Sequence, residues 1–230
     1  EKLFAEIQAH QGVIRAAVTG SLRRAKETVK DIDVVVSAAA QDREAIMSFF
    51  TSFPDIQAVN GHGETKSSVI LQEGIQADLR IVEDDEFPYV LHHFTGSKEH
   101  NTAMRGLARK QGVKMNEYGL FRENDERINC ADENEIFAAL GLNYIEPELR
   151  EDLGEIEAAQ EEGLPSLVTK EDIRGILHTH TTYSDGANTL RQMAEACRGL
   201  GMQYLGISDH SQVAVYANGL TPERLQEQGE

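Results

Sequence analysis

Tryptophan is missing from the 230 residues, and cysteine, proline and positive charge are all scarce. Two cysteines, Cys130 and Cys197, cannot build a disulfide framework. Both read as small buried hydrophobes, and the chain reads as one from a reducing cytoplasm. No apolar run approaches the ~20 residues that a membrane helix needs. The opening EKLFAEIQAH lacks the basic-then-apolar layout of a signal peptide. No membrane partner is expected. Only 22 Lys and Arg face 39 Asp and Glu, for a net charge of −17. Any surface that grips a phosphate backbone must therefore be local.

What is present is an ordinary globular composition, 40% hydrophobic and 27% charged, with length for one or two domains. Both ends read as helix interrupted part-way, so the chain is expected to be a fragment. Residues 1–10 predict a helix with Leu3, Phe4 and Ile7 on one face. VIRAAVTGS predicts a strand closing in a Gly-Ser turn, LRRAKETVK a helix or loop, and DIDVVVSA a strand buried on both faces. A helix over 42–53 stops at Pro54, and three strands follow, the last being IQADLRIVE. There Ala77, Leu79 and Ile81 alternate with Gln76, Asp78 and Arg80, which puts Asp78 on the more polar face. From Asp84 the pattern turns helical, with extended pieces around VKMNEYGLF. Residues 141–172 hold ten acidic residues against two basic ones, and read as a connector or docking helix. Strand, helix and strand signals then succeed one another over 173–211, the signature of a βαβ unit.

Two constellations carry chemistry. In GSLRRAKETVKDIDVVV (20–36), Gly20 lets the backbone approach an anion, and Ser21 opens a turn whose free amides favour phosphate. Arg23 and Arg24 supply bidentate positive charge beside it. Asp31 and Asp33 lie two apart on a strand and project from one face. Paired carboxylates there repel unless a divalent cation neutralises them. Mg²⁺ takes a few carboxylates plus phosphate oxygens, and Asp78 completes a two-metal set for phosphoryl transfer. Any one of these parts alone is commonplace, since a Gly-Ser turn is usually only a turn. Their joint occurrence reads as a nucleotidyltransferase site.

The second constellation is ILHTHTTYSDG (176–186) with SDHS (208–211). His178 and His180 sit two apart at a strand end, Asp185 follows on the loop, and His210 ends the next strand. Sites in parallel α/β folds form at strand C-termini. Neutral imidazoles with a carboxylate suit Zn²⁺, Mn²⁺ or Fe²⁺. His92 and His93 point apart on a helix and read as packing or nucleotide contact; His62, between glycines, reads as a turn residue.

The first constellation resembles the palm of family X DNA polymerases. QADLRIV (76–82) is similar to the strand bearing their third catalytic aspartate. HFTGSKEHNTAMRGLARKQGVKMNEYGLF (93–121) and YIEPELRE (144–151) are similar to their thumb. The resemblance implies that Asp31 and Asp33 bind both metals and Asp78 the catalytic one. It implies that Ser21 and Arg24, with Gly20, hold the triphosphate. Phe94, Gly96 and His93 would lie at the nucleotide sugar, Asn101 at its base edge, and Arg105 on the template strand. Vertebrate members have tyrosine at His93 and arginine at Gln76. The family's N-terminal lyase segment has no counterpart here, so weak DNA grip is expected. The second constellation resembles the opening of a PHP (polymerase and histidinol phosphatase) domain. The resemblance implies Mn²⁺ or Zn²⁺ at His178, His180, Asp185 and His210, in an incomplete 3′-to-5′ exonuclease site.

The expected fold is an α+β nucleotidyltransferase palm (1–83), a helical thumb (84–145), an acidic connector (146–172) and the first βαβ unit of an α/β PHP barrel (173–230). The expected activity is template-directed, Mg²⁺-dependent nucleotidyl transfer in DNA gap filling. Gapped or primed DNA and deoxynucleoside triphosphates are the expected partners. Two rivals stand beside it: a small-molecule or RNA-end nucleotidyltransferase fused to a phosphoesterase, and a non-catalytic DNA-end-binding fragment.

Overall fold

The fold is that of a computed structural model, which describes residues 2–229. It divides into two compact units, 1–164 and 165–230.

The first unit opens with α1 (Lys2–Gln8), β1 (Arg15–Val18) and a one-turn α2 (Gly20–Arg23). There follow β2 (Asp31–Ser37), α3 (Arg43–Thr51), β3 (Ile56–His62), β4 (Lys66–Leu71) and β5 (Gln76–Val82). The five strands form one sheet in the order β1-β2-β5-β4-β3. All neighbours are antiparallel except β2 and β5, which run parallel with Asp33 beside Asp78. The Val34-Val35-Val36 run is buried on both faces because two layers cover it. Val34 and Val36 meet Ile7 of α1 and Ile46, Met47 and Phe50 of α3, together with Leu79 and Ile81. Val35 meets Val82 and the next helix, α4 (Phe87–Thr95), through Phe87 and Val90. Asp31, Asp33 and Val35 share one face by the period of two, so the aspartates lie on the α4 side.

Next come α5 (Lys98–Lys110), β6 (Lys114–Asn116), β7 (Gly119–Phe121), β8 (Arg127–Ile128), α6 (Glu133–Ala139) and α7 (Glu155–Gln160). The three short strands form an antiparallel sheet. Met104 and Ala108 of α5, Phe137 of α6, and Ile156 and Ala159 of α7 close a second core. Here the structure departs from a 146–172 connector. Ile156 and Ala159 are one helical turn apart and buried, so the acidic stretch as far as Leu164 packs into the first unit. His62 also differs from expectation: it is the exposed last residue of β3 rather than a turn residue. Cys130 and Cys197 are free and buried, as expected.

The second unit holds β9 (Gly175–Thr179), α8 (Leu190–Gly199), β10 (Tyr204–Ile207) and α9 (Pro222–Gly229). The strands β9 and β10 pair in parallel across α8, a βαβ arrangement. Thr189 caps α8 in a reciprocal box with Gln192, which satisfies two otherwise orphaned amides. Among the described residues no helix is long and apolar enough to cross a membrane.

Candidate active site and metal centre

The carboxylates of the first unit sit where β2 and β5 begin. Asp33 is crowded: burial, then the charges of Asp31 and Asp78, push its carboxyl above the usual carboxylate range. Asp78 goes the other way. Burial pushes it up, but Lys66, Ser68 and Gln76 donate to it and hold it below its ordinary value. Lys66 Nζ lies 2.9 Å from Asp78 Oδ2, and Gln76 Nε2 donates to Oδ1 at 2.9 Å. Gln76 thus orients the carboxylate at the position where the resemblance notes an arginine. Lys66, on β4, escaped the sequence reading, because only cross-strand register brings it to Asp78. A notch of about 20 Å³ is lined by Asp33, Asp78, Lys66, Arg80 and Phe94. It unites the aspartates with the aromatic expected at the sugar. The carboxylate oxygens of Asp33 and Asp78, with Lys66 and Arg80 beside them, are hard donors that fit a divalent cation such as Mg²⁺.

Gly20 closes the wall beside Asp33. It has φ +64°, and a Cβ there would meet Asp33 Oδ2 at 2.7 Å. Thr19 donates its amide to Asp33 O at 2.8 Å, which draws the turn against β2. Gly20→Ala is expected to displace Asp33 and to lower stability by about 1 kcal/mol through backbone strain. A urea melting curve checks it; an unchanged midpoint contradicts the contact.

Ser21 is half-buried on the single turn of α2. Arg24 is engaged: Nε donates to Glu151 Oε1 at 2.7 Å and Nη1 to Thr95 O at 2.9 Å. Lys26 also reaches Glu151, at 3.3 Å. Burial pushes Glu151 up, and Arg24 with Lys26 pulls it to a net lowering. A phosphate arriving at Arg24 therefore competes with a carboxylate of the same chain. Nothing in the local sequence paired Arg24 with a residue 127 positions away.

Asn101 holds the turn after α4, donating to His93 O at 2.7 Å. Gly96 is needed there, since a Cβ would lie 2.9 Å from Asn101 Oδ1. His93 and Phe94 meet edge to face at 5.0 Å, and Arg80 stacks on Phe94 at 4.6 Å. Arg105 is exposed, with Nη2 3.3 Å from His93 Nδ1. Burial and then Arg105 lower His93, so its ring is neutral at neutral pH.

In the second unit, ligand atoms of His180, Asp185 and His210 lie within 4.8 Å of one another. The rings of His180 and His210 are 4.6 Å apart. His180 Nδ1 is buried without a hydrogen-bond partner, 3.4 Å from Asp185 Oδ1. Two imidazoles, a carboxylate and an orphaned ring nitrogen fit a borderline cation such as Zn²⁺ or Mn²⁺. His178 stands outside the trio. Its φ is +58°, and β9 bulges here: Ile176 pairs with Leu205, but Thr179 pairs with Ile207. The extra residue interrupts the alternation of β9, yet the His178 and His180 rings lie 5.3 Å apart. Asp209 was missed. It accepts from the Thr181 amide at 2.7 Å, and from the Thr181 and Ser184 hydroxyls and Gln228, so it shapes the loop that carries Asp185. Its place beside His210 in SDHS was the available signal.

Residues 90–151 match the family described as DNA polymerase beta thumb, and residues 177–225 match the PHP domain. Across 99% of its length the chain is 42% identical to the DNA polymerase/3'-5' exonuclease PolX of Bacillus subtilis (strain 168). This chain is similar to family X DNA polymerases. It spans 40% of the length of that PolX. Repair DNA polymerase X of African swine fever virus (isolate Pig/Kenya/KEN-50/1950) is 27% identical over 57% of this chain and 78% of its own. DNA polymerase lambda of Rattus norvegicus is 28% identical over 63% of this chain and 30% of its own. A thumb and a PHP segment therefore occur in one chain, in the order expected of the two constellations.

Proposed function

We infer that the first unit is the catalytic palm and thumb of a template-directed DNA polymerase that fills gaps in DNA repair. The observation that carries this reading is the strand register setting Asp33 beside Asp78, with Asp31 on the same face and Gly20 against Asp33. The similarity to PolX over nearly the whole chain, and to two other polymerases over 57% and 63% of it, agrees with it. Asp31, Asp33 and Asp78 would hold Mg²⁺, which supplies charge neutralisation at the reacting phosphate and lowers the pKa of the attacking hydroxyl. The chain's own residues do the rest. Gln76 and Lys66 fix the Asp78 carboxylate, towards which the primer 3′-hydroxyl sheds its proton. That oxygen bonds to the α-phosphorus in line, and the bond to the β-phosphate bridging oxygen breaks, releasing pyrophosphate. Ser21 and Arg24 receive the β- and γ-phosphates, with Arg24 exchanging Glu151 for them. Phe94 and Gly96 pack at the sugar, and Asn101 faces the base edge. His93, smaller than tyrosine, leaves the sugar less confined. In the second unit, His180, Asp185 and His210 would hold Mn²⁺ or Zn²⁺.

The test is a duplex with a one-nucleotide gap, offered each deoxynucleoside triphosphate separately with Mg²⁺. Incorporation of only the complementary nucleotide is expected. Template-independent labelling of RNA ends, with no gap filling, would instead establish the RNA-end nucleotidyltransferase.

A further inference from the structure

We propose that the buried pair His100–Glu155 positions Asn101 and the turn before it for the incoming nucleotide, so that the acidic helix α7 takes part in nucleotide binding. The inference rests on the polymerase reading and extends it to residues beyond 151, where the match to the thumb family ends.

His100 and Glu155 are 55 residues apart in sequence and both buried, with His100 Nδ1 2.7 Å from Glu155 Oε1. Glu155 opens α7, and its own segment fixes the carboxylate. The Asp152 amide donates to Oε1 at 2.9 Å, and the Leu153 amide to Oε2 at 2.7 Å. Burial pushes Glu155 up, but His100 and the backbone amides outweigh it and hold it below its ordinary value. An ionised carboxylate only accepts, so Nδ1 of His100 is the donor. The other ring nitrogen of His100 is buried without a hydrogen-bond partner. So are both of His92, whose ring lies 5.8 Å away. For cohesion alone this is a poor choice. Apolar side chains of similar volume beside Phe137 would strand no nitrogen, and replacing a buried polar pair with them is often neutral or stabilising. A hydrogen bond supplies what apolar packing does not, a fixed direction for the ring.

That direction serves the first turn of α5. Ser97 caps the helix, its hydroxyl accepting from the His100 amide at 3.0 Å, and the Asn101 amide donates to Ser97 O at 3.0 Å. A Cβ on Gly96 would lie 2.9 Å from both Asn101 Oδ1 and His100 Cδ2, so the two side chains flank one glycine. A swing of the imidazole therefore disturbs Gly96 and the side chain of Asn101, which donates to His93 O. The Ser97 amide donates in turn to Arg150 O at 3.1 Å. Residues 150–155 thus reach both ends of the nucleotide site. Glu151 engages Arg24, assigned to the triphosphate, and Glu155 engages the turn assigned to the sugar and base. The side-chain hydrogen bonds of the pair go to one another and to the Asp152 and Leu153 amides, not to Asp31, Asp33 or Asp78. Loosening the pair therefore loosens nucleotide binding and spares the chemical step.

The experiment measures kcat and KM for the complementary deoxynucleoside triphosphate on a one-nucleotide gap, with melting curves alongside. His100→Phe keeps the ring volume and deletes the donor. It is expected to raise KM about 10-fold and to leave kcat within about 3-fold, the pattern of lost binding rather than lost chemistry. His100→Asn sets an amide N–H near the place of Nδ1 and is expected to keep KM within about 3-fold of the parent. Glu155→Ala breaks the contact from the other side, and carries the test if His100→Phe does not fold. It is expected to raise KM by a similar factor, with no further rise in the double variant. A packing role alone lowers the melting temperature and leaves KM unmoved. A KM within about 2-fold of the parent in the folded single variants would overturn the proposal. So would a fall in kcat at constant KM, or His100→Asn as impaired as His100→Phe. In each of those cases the parent still fills the gap, and the polymerase reading stands. A parent that fills no gap ends that reading, and the role of the pair with it.

Discussion

Glu133→Ala is expected to remove about 3–5 kcal/mol from the stability of the first unit, the penalty for stranding a buried charge. Glu133 is 5% exposed, and Arg150, its partner, is wholly buried. Arg23 binds the other carboxylate oxygen. Arg150 is further held by Ile145 O at 2.9 Å and lies over the rings of Phe137 and Tyr144, at 5.0 and 5.4 Å. The network ties α2 of the sheet region to α6 and to the segment that follows it. Truncating Glu133 leaves Arg150 buried with no anion, whereas Glu133→Ala with Arg150→Met removes both charges and is expected to recover most of the loss. The pH dependence has a definite sign. Burial raises Glu133, but Arg150 and Arg23 outweigh it and depress its folded value. Its contribution is therefore present above the ordinary carboxylate range and disappears as pH falls through the depressed value. Urea titrations of the three proteins at neutral and acidic pH decide the matter. A single variant as stable as the parent at neutral pH contradicts the network.

Much of this unit was legible because its elements obey simple periods. Val34, Val35 and Val36 announce a strand covered on both faces, and α3 with α1 on one side and α4 on the other supply that cover. The alternation of Ala77, Leu79 and Ile81 with Asp78 placed the third aspartate on the correct face. What resisted reading was contact across long separations. Arg24 with Glu151, Arg23 with Glu133 and Lys66 with Asp78 depend on packing and register that no local pattern encodes. The acidic stretch before Leu164 misled because its charge outnumbers its apolar residues, while burial of Ile156 and Ala159 decides where it goes. His178 is a different case: its ring lies 5.3 Å from that of His180, as their spacing suggests, but β9 carries one extra residue there and His178 stands outside the trio of ligands.

The second large effect concerns Asp33. Asp33→Asn is expected to reduce gap filling on the order of 10³-fold, the loss of several kcal/mol of transition-state stabilisation. The same substitution should make the metal-free chain more stable. A carboxyl whose folded value is raised binds protons more readily folded than unfolded. Stability then falls as pH rises from the ordinary carboxylate value through the raised one, and stays lower at neutral pH. An amide cannot ionise, so it escapes the repulsion of Asp31 and Asp78. A residue that opposes folding while serving chemistry is a mark of an active site.

That contrast gives the most direct measurement: single-turnover filling of a one-nucleotide gap, and thermal melting without added metal, on the parent and Asp33→Asn side by side. The account predicts a variant that melts no lower than the parent and fills the gap on the order of 10³-fold more slowly. A variant that fills the gap at the parent's rate would show that the nucleotidyl-transfer site lies elsewhere.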